Sequence, residues 1–135
     1  MQSFQHIFRR DGLKAQIVEG DSFHRYNRME MRANMKDADA KGNKHYSHFG
    51  PYSNLLEELE TLFKDYGEDG SGRVRKYIHD AGEAAEHGVE PGNFTEWKDI
   101  APASDLMFYE GLHGAYFDDR INVGRHVDLL VGVVP

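Results

Sequence analysis

Cysteine is absent from this 135-residue chain, tryptophan occurs once and proline four times. Without thiols there is no disulfide framework, no cysteine nucleophile and no thiolate metal site, which suits a reducing cytoplasm and leaves stability to a packed core. Long apolar runs are missing too. The opening stretch, 1–12, mixes Gln, His, Arg and Asp with few apolar residues and holds neither a signal-peptide core nor a membrane span, so the chain reads as soluble and cytoplasmic. Positive charge is in short supply: 16 Lys and Arg against 23 Asp and Glu give a formal net charge of -7. That balance argues against nucleic acid, because counterion release needs a strongly basic surface. An anionic small molecule would need a local basic cluster. Three motifs are also lacking. There is no Gly-x-x-x-x-Gly-Lys-Ser/Thr phosphate loop, no Gly-x-Ser-x-Gly nucleophile elbow and no His-Glu-x-x-His pair.

What is present fits one domain by length, with 39% hydrophobic residues for a modest core. Phe4 to Gly12 has apolar residues at helical spacing and a Gly stop but no cap before it, and resembles the last turns of a helix. Ala15 to Gly20 reads as a short strand followed by a polar loop from Asp21 to Arg28. Met29 to Lys41 has helix-forming composition, and Leu55, Leu56, Leu59, Leu62 and Phe63 form a clear helical stripe between Ser53 and Tyr66. Gly67 to Gly72 supplies turn residues to end that helix. Arg73 to His79 alternates like a strand, with Asn93 to Ile100 as a hairpin partner across a segment containing Glu90-Pro91-Gly92. Leu106 to Tyr109 is a short apolar strand ending in Glu110-Gly111, and Leu129 to Val134 is a nearly continuous apolar strand. The order suggests an α/β fold with a mainly parallel sheet and flanking helices, with ligands gathered outside the carboxyl ends of the strands. An α+β domain with an antiparallel sheet would give similar runs. Both ends read as cut: a helix remnant opens the chain, an uncovered apolar strand closes it, and Met1 reads as an internal methionine.

The densest chemistry lies in Glu19-Gly20-Asp21-Ser22-Phe23-His24-Arg25-Tyr26-Asn27-Arg28, which puts carboxylate, histidine and arginines in one loop after a strand. Asp21 could take a proton from a hydroxyl while Arg and His hold a phosphate. The plainer alternative is that Asp21 or Ser22 caps a turn and the arginines lie solvated. Glu110, at a strand end, is where nucleotide-handling α/β proteins place a carboxylate facing Mg²⁺ or bound phosphates; its alternative is an ordinary turn residue. Eight histidines invite a metal reading, but their spacing lacks a zinc pattern and most read as surface or substrate-side groups.

The loop from Glu19 to Arg28 resembles the acceptor loop of bacterial phosphoribulokinases. His45-Tyr46-Ser47-His48-Phe49-Gly50-Pro51, Arg75-Lys76-Tyr77-Ile78-His79-Asp80, Pro91-Gly92-Asn93-Phe94-Thr95, Phe108-Tyr109-Glu110-Gly111-Leu112-His113-Gly114 and Val131-Gly132-Val133-Val134-Pro135 resemble the same family in the same order. The resemblance implies a P-loop kinase-like domain over residues 1–135, incomplete at both ends and lacking the ATP-phosphate loop. It implies transfer of the ATP γ-phosphate to ribulose 5-phosphate in the Calvin cycle, with Asp21 as base and His24, Arg28, Tyr77 and His79 binding the sugar phosphate. Arg32 falls where the family uses a basic residue. Glu110 matches an acidic residue supporting Mg²⁺ and ATP, directly or indirectly, and Arg10 matches a basic position linked to activation by NADH. A cytoplasmic homo-oligomer is implied, and the chain without the phosphate loop is expected to be inactive. Two alternatives stand beside this reading. One is a related kinase for uridine or pantothenate, and the other a non-catalytic paralogue that keeps the sugar-phosphate surface.

Overall fold

A computed structural model describes residues 2–134. Met1, read above as an internal methionine, and Pro135, the end of the last family-like string, lie outside the described residues. The helix remnant is helix α1, Gln2–Arg10. Strand β1, Ala15–Glu19, follows and runs into a single 3-10 turn, Gly20–Phe23. Helix α2, Arg28–Ala40, starts at a reciprocal cap in which Asn27 accepts the Glu30 backbone N–H and the Glu30 carboxylate accepts that of Asn27.

Helix α3 spans Leu56–Asp69 and buries Leu56, Leu59, Leu62 and Phe63, as the stripe predicts. Its start differs: Ser53 belongs to a separate 3-10 turn, Pro51–Ser53, because Pro51 fixes the backbone ahead of the helix. Its end differs as well. The helix continues through Gly67 to Asp69, and Gly70, at φ 76°, supplies the left-handed residue that stops it. These four apolar side chains pack with Val18, Phe23, Val74, Ile100, Ile121 and Val123 into one core. Fully burying such side chains is worth about 1.5–3 kcal/mol each, so α3 is the plate on which β1 and its turn rest.

The described strands form two small sheets instead of one larger one. Strand β2, Arg73–Val74, pairs antiparallel with β3, Lys98–Asp99, and Tyr77 bridges Phe94 further along. The expected hairpin partners therefore meet, but over short stretches. Between them lies helix α4, Ala81–His87, absent from the sequence reading although Asp80-x-x-Glu83 is an N-terminal signature. Strand β4, Leu106–Glu110, lies parallel to β1 with Glu19 opposite Glu110. Among the described residues there are thus two two-stranded sheets, one parallel and one antiparallel, in an α/β arrangement with flanking helices. The expected strand Leu129–Val134 does not form. No described strand offers it hydrogen bonds, and Leu129, Val131, Val133 and Val134 are exposed; an apolar run becomes a strand only when a ladder satisfies its backbone.

Candidate active site

The carboxyl ends of β1 and β4 approach unusually closely. A Cβ placed on Gly20 would sit 2.9 Å from the Gly111 Cα, and one on Gly111 would sit 2.8 Å from the Gly20 Cα. Only glycine permits this approach, and it brings the Asp21 turn beside Glu110-Gly111. Within the turn, Ser22 and Phe23 are buried, and the Ser22 hydroxyl donates to the Glu19 carbonyl at 2.6 Å. Asp21, between the strand end and these two anchors, projects outward with its side chain 55% exposed.

Arg75 holds this turn from beneath. Its Nε donates to the Ser22 carbonyl at 2.8 Å and its Nη2 to the His24 carbonyl at 2.6 Å. The guanidinium lies over the Phe94 ring at 3.7 Å and the Trp97 ring at 4.6 Å, a setting suited to a planar, weakly hydrated cation. Burial pulls its pKa down to about 10, with nearby Glu58 acting the other way, so it remains charged at neutral pH.

Two imidazoles converge on Asp21. His24 Nε2 lies 3.3 Å from Oδ1, and His79 Nε2 lies 3.1 Å from Oδ2. The outer nitrogen of each ring is also engaged, His24 Nδ1 with Asn54 Oδ1 at 2.9 Å and His79 Nδ1 with Glu83 Oε2 at 3.1 Å. Asn54 is buried, and its amide nitrogen donates to the His48 and Gly50 carbonyls at 2.8 and 2.9 Å, so its oxygen is the atom facing His24. Every ring nitrogen therefore meets an acceptor, an arrangement that favours the doubly protonated form of each imidazole. The electrostatics agree. The Asp21 carboxyl is held down at about 2, chiefly by the hydrogen bond from His24, against its partial burial and with help from His79. His24 is raised above its ordinary value, first by Asp21. His79 is raised as well: burial opposes its charge, and the Asp21 and Glu83 carboxylates outweigh it.

The remaining sequence-chosen residues divide in two. Tyr77 joins the cluster, its ring edge-on to His79 at 4.9 Å between centroids and to His24 at 6.2 Å. Arg28 joins it too, with Nη2 donating to the His79 carbonyl at 2.9 Å and its guanidinium 5.9 Å from the Tyr77 ring centre. Arg32 stands one helical turn beyond Arg28, exposed and without a hydrogen bond or ion pair among the described residues. Glu110 is exposed at the end of β4, near the turn through the Gly20–Gly111 contact. Arg10 belongs elsewhere: it ends α1, before β1 begins, and pairs with Asp11 at 3.0 Å. Arg75, Asn54 and Glu83 carry no role in the sequence reading. Local pattern offers no signal for the first two, since the turn residues they hold lie 30 or more residues away in the chain; the capping pattern Asp80-x-x-Glu83 marks the third as a helix start only.

The cluster thus offers a carboxylate beside two imidazoles and a guanidinium at the mouth of a parallel strand pair, a set that can accept a proton and donate hydrogen bonds to an anion. No three His, Asp or Glu side chains gather as a metal centre among the described residues; a lone carboxylate such as Glu110 is nonetheless the usual protein contribution to a phosphate-bound Mg²⁺.

A family model described as "Phosphoribulokinase / Uridine kinase family" matches residues 1–135. The chain is 57% identical over 134 residues to a phosphoribulokinase of Xanthobacter flavus and 55% identical over 134 residues to one of Nitrobacter vulgaris, covering 99% of this chain and 46% of each relative. The solved structure of a phosphoribulokinase from Rhodobacter spheroides superposes with a TM-score of 0.84 at 46% identity, over 95% of this chain and 44% of that one. The chain spans about half the length of the curated relatives it matches.

Proposed function

Because this chain belongs to the phosphoribulokinase and uridine kinase family, we propose that it forms the acceptor-sugar side of a phosphoribulokinase, which passes the ATP γ-phosphoryl to ribulose 5-phosphate and yields ribulose 1,5-bisphosphate for Calvin-cycle CO2 fixation. The observation that carries the reading is the Asp21 carboxylate set between the Nε2 atoms of His24 and His79. The same atoms serve both halves of the task, since a sugar phosphate needs cationic donors and its hydroxyl needs a base. We read the parallel β1–β4 pair as this chain's contribution to the mainly parallel sheet of a P-loop kinase-like domain of which residues 1–135 are a part.

The mechanism follows from exchange of partners. Hydrogen bonds from His24 and His79 hold the Asp21 carboxyl down and make Asp21 a weak base while they last. A phosphate dianion draws the His24 and His79 Nε2–H groups to its own oxygens, with Arg28 beside them and Arg32 and Tyr77 at the perimeter. Asp21 is then released from the donors that depress it. It takes the hydroxyl proton as the hydroxyl oxygen bonds to the γ-phosphorus, the bridging P–O bond breaks and ADP leaves. Glu110 is the residue that would hold Mg²⁺, whose chemistry is to neutralise charge on the ATP phosphates. NADH activation near Arg10, a homo-oligomeric enzyme and a cytoplasmic location complete the proposal and rest on the family resemblance.

The test is a chimera in which residues 1–135 replace the matching segment of the Xanthobacter flavus relative. ADP release is measured with ribulose 5-phosphate, uridine or no acceptor. Release that needs ribulose 5-phosphate supports the reading; preference for uridine, or a folded chimera indifferent to acceptor, overturns it.

A pH prediction comes from the same cluster. Asp21 is depressed, so its contribution to stability is full above its ordinary value of 3.8 and is lost as pH falls through about 2. His24 and His79 are raised, so theirs is full below 6.5 and is lost as pH rises through their higher folded values. The cluster stabilises most between 3.8 and 6.5. Urea midpoints of the chimera are expected to fall between roughly pH 5.5 and roughly pH 9, and to fall less in Asp21→Asn; an equal fall in both proteins would show that the histidines owe their charge to something other than Asp21.

A further inference from the structure

We propose that Glu83 is a positioning residue for the acceptor phosphate: its carboxylate holds His79 as an imidazolium with Nε2–H turned to the spot that Asp21 and the sugar phosphate share. The inference rests on the acceptor-site reading above and goes beyond it in giving a role to a side chain that touches neither substrate nor base. Glu83 sits in the first turn of α4, where Asp80 caps the helix by accepting the Gly82 and Glu83 backbone N–H groups at 2.8 and 3.0 Å. One Glu83 oxygen, Oε2, accepts both the His79 backbone N–H at 2.8 Å and the ring Nδ1–H at 3.1 Å. The other lies 3.7 Å from Lys76 Nζ. Backbone and ring of one histidine are thus gripped by one atom, which sets the ring plane and sends Nε2 toward Asp21.

The need for this grip comes from the partner exchange. His79 meets Asp21 from the turn after β1, with His24 on the far side of that carboxylate, Arg28 from α2, Tyr77 from its own segment and Glu83 from α4, behind which stands Lys76. Burial opposes its charge, and Asp21 and Glu83 favour it. When Nε2–H leaves Asp21 for a phosphate oxygen, Glu83 is the carboxylate that stays on the ring. It keeps the donor charged through the transfer.

A merely structural role is the competing account, since a Glu at this position also closes the start of α4. Glu83→Gln separates the two, because the amide oxygen still accepts the His79 N–H and preserves the cap while the negative charge is lost. Two readouts are taken in the chimera: KM and kcat for ribulose 5-phosphate across pH, and the titration of the His79 ring by ¹⁵N NMR, assigned with His79→Gln. In Glu83→Gln the expected results are a KM raised roughly three- to tenfold near pH 8, a kcat changed less, and a ring titration and alkaline limb of kcat/KM both moved to lower pH. An unchanged ring titration and an unchanged limb, with or without a lower melting temperature, overturn the proposal while leaving the kinase reading in place. A chimera without ribulose 5-phosphate activity would instead count against that reading, and the His79 titration would still decide whether Glu83 sets the charge of the ring.

Discussion

Asp21→Asn in the chimera is expected to lower kcat with ribulose 5-phosphate by about 10²- to 10⁴-fold, the usual cost of removing a positioned base, with a much smaller change in KM. The substitution keeps the side-chain shape, so the turn made by Ser22, Phe23 and Arg75 should survive. What changes is chemistry. An amide oxygen cannot take the hydroxyl proton, and the amide nitrogen cannot accept from an imidazolium, so one of the two histidines loses its partner. Steady-state rates with ATP saturating, together with a melting curve, provide the check. A loss of less than about tenfold in a fully folded variant would remove Asp21 from the role of base.

Arg75→Met should have the second-largest effect, and on both stability and activity. Methionine keeps an apolar stem against Phe94 and Trp97 but abandons two charge-assisted hydrogen bonds and leaves the Ser22 and His24 carbonyls without that donor. Hydrogen bonds from charged groups contribute about 1.5–3 kcal/mol each and a desolvated cation over an aromatic face about 1–2 kcal/mol, partly offset because the guanidinium no longer has to be buried. A net loss of roughly 3 kcal/mol is expected from urea unfolding. kcat/KM should fall at least about tenfold, because the carbonyls released belong to the turn that aims Asp21 and His24. Arg75→Lys should recover only part of either loss, since a single ammonium does not reproduce the planar fork that reaches both carbonyls. A methionine variant as stable as the parent would show that the turn holds itself.

The two variants differ in how visible their residues are in the chain. Asp21 and His24 are three residues apart in a polar loop after a strand, and short-range pairs of that kind can be read directly. The α3 stripe is equally legible, because a 3.6-residue period is a property of one element and needs no partner. Resemblance added His79, Tyr77 and Arg28, and the fold does bring them to the same place. Arg75 shows no local sign of its function: in the sequence it is one more arginine in an alternating stretch. Asn54 is similar, a polar residue before a helix whose burial and grip on His24 depend on a loop folding back over it. The strand expected at Leu129–Val134 fails for the complementary reason. Its apolar composition is real, yet a strand is a relation between segments, and no described segment pairs with it.

The α3 core stripe, the strand–turn segment containing Asp21 and the carboxylate at the end of β4 are legible along the chain, since each depends on neighbours within a few residues. That Arg75 supports the turn, that His79 arrives from 58 residues away to share Asp21 with His24, and that Glu83 and Asn54 hold the far sides of the two rings follow from the folded chain alone. Those contacts join segments whose separation along the chain carries no information about their separation in space; the shared core, in which Val74 and Phe23 pack with the α3 face, brings the segments together.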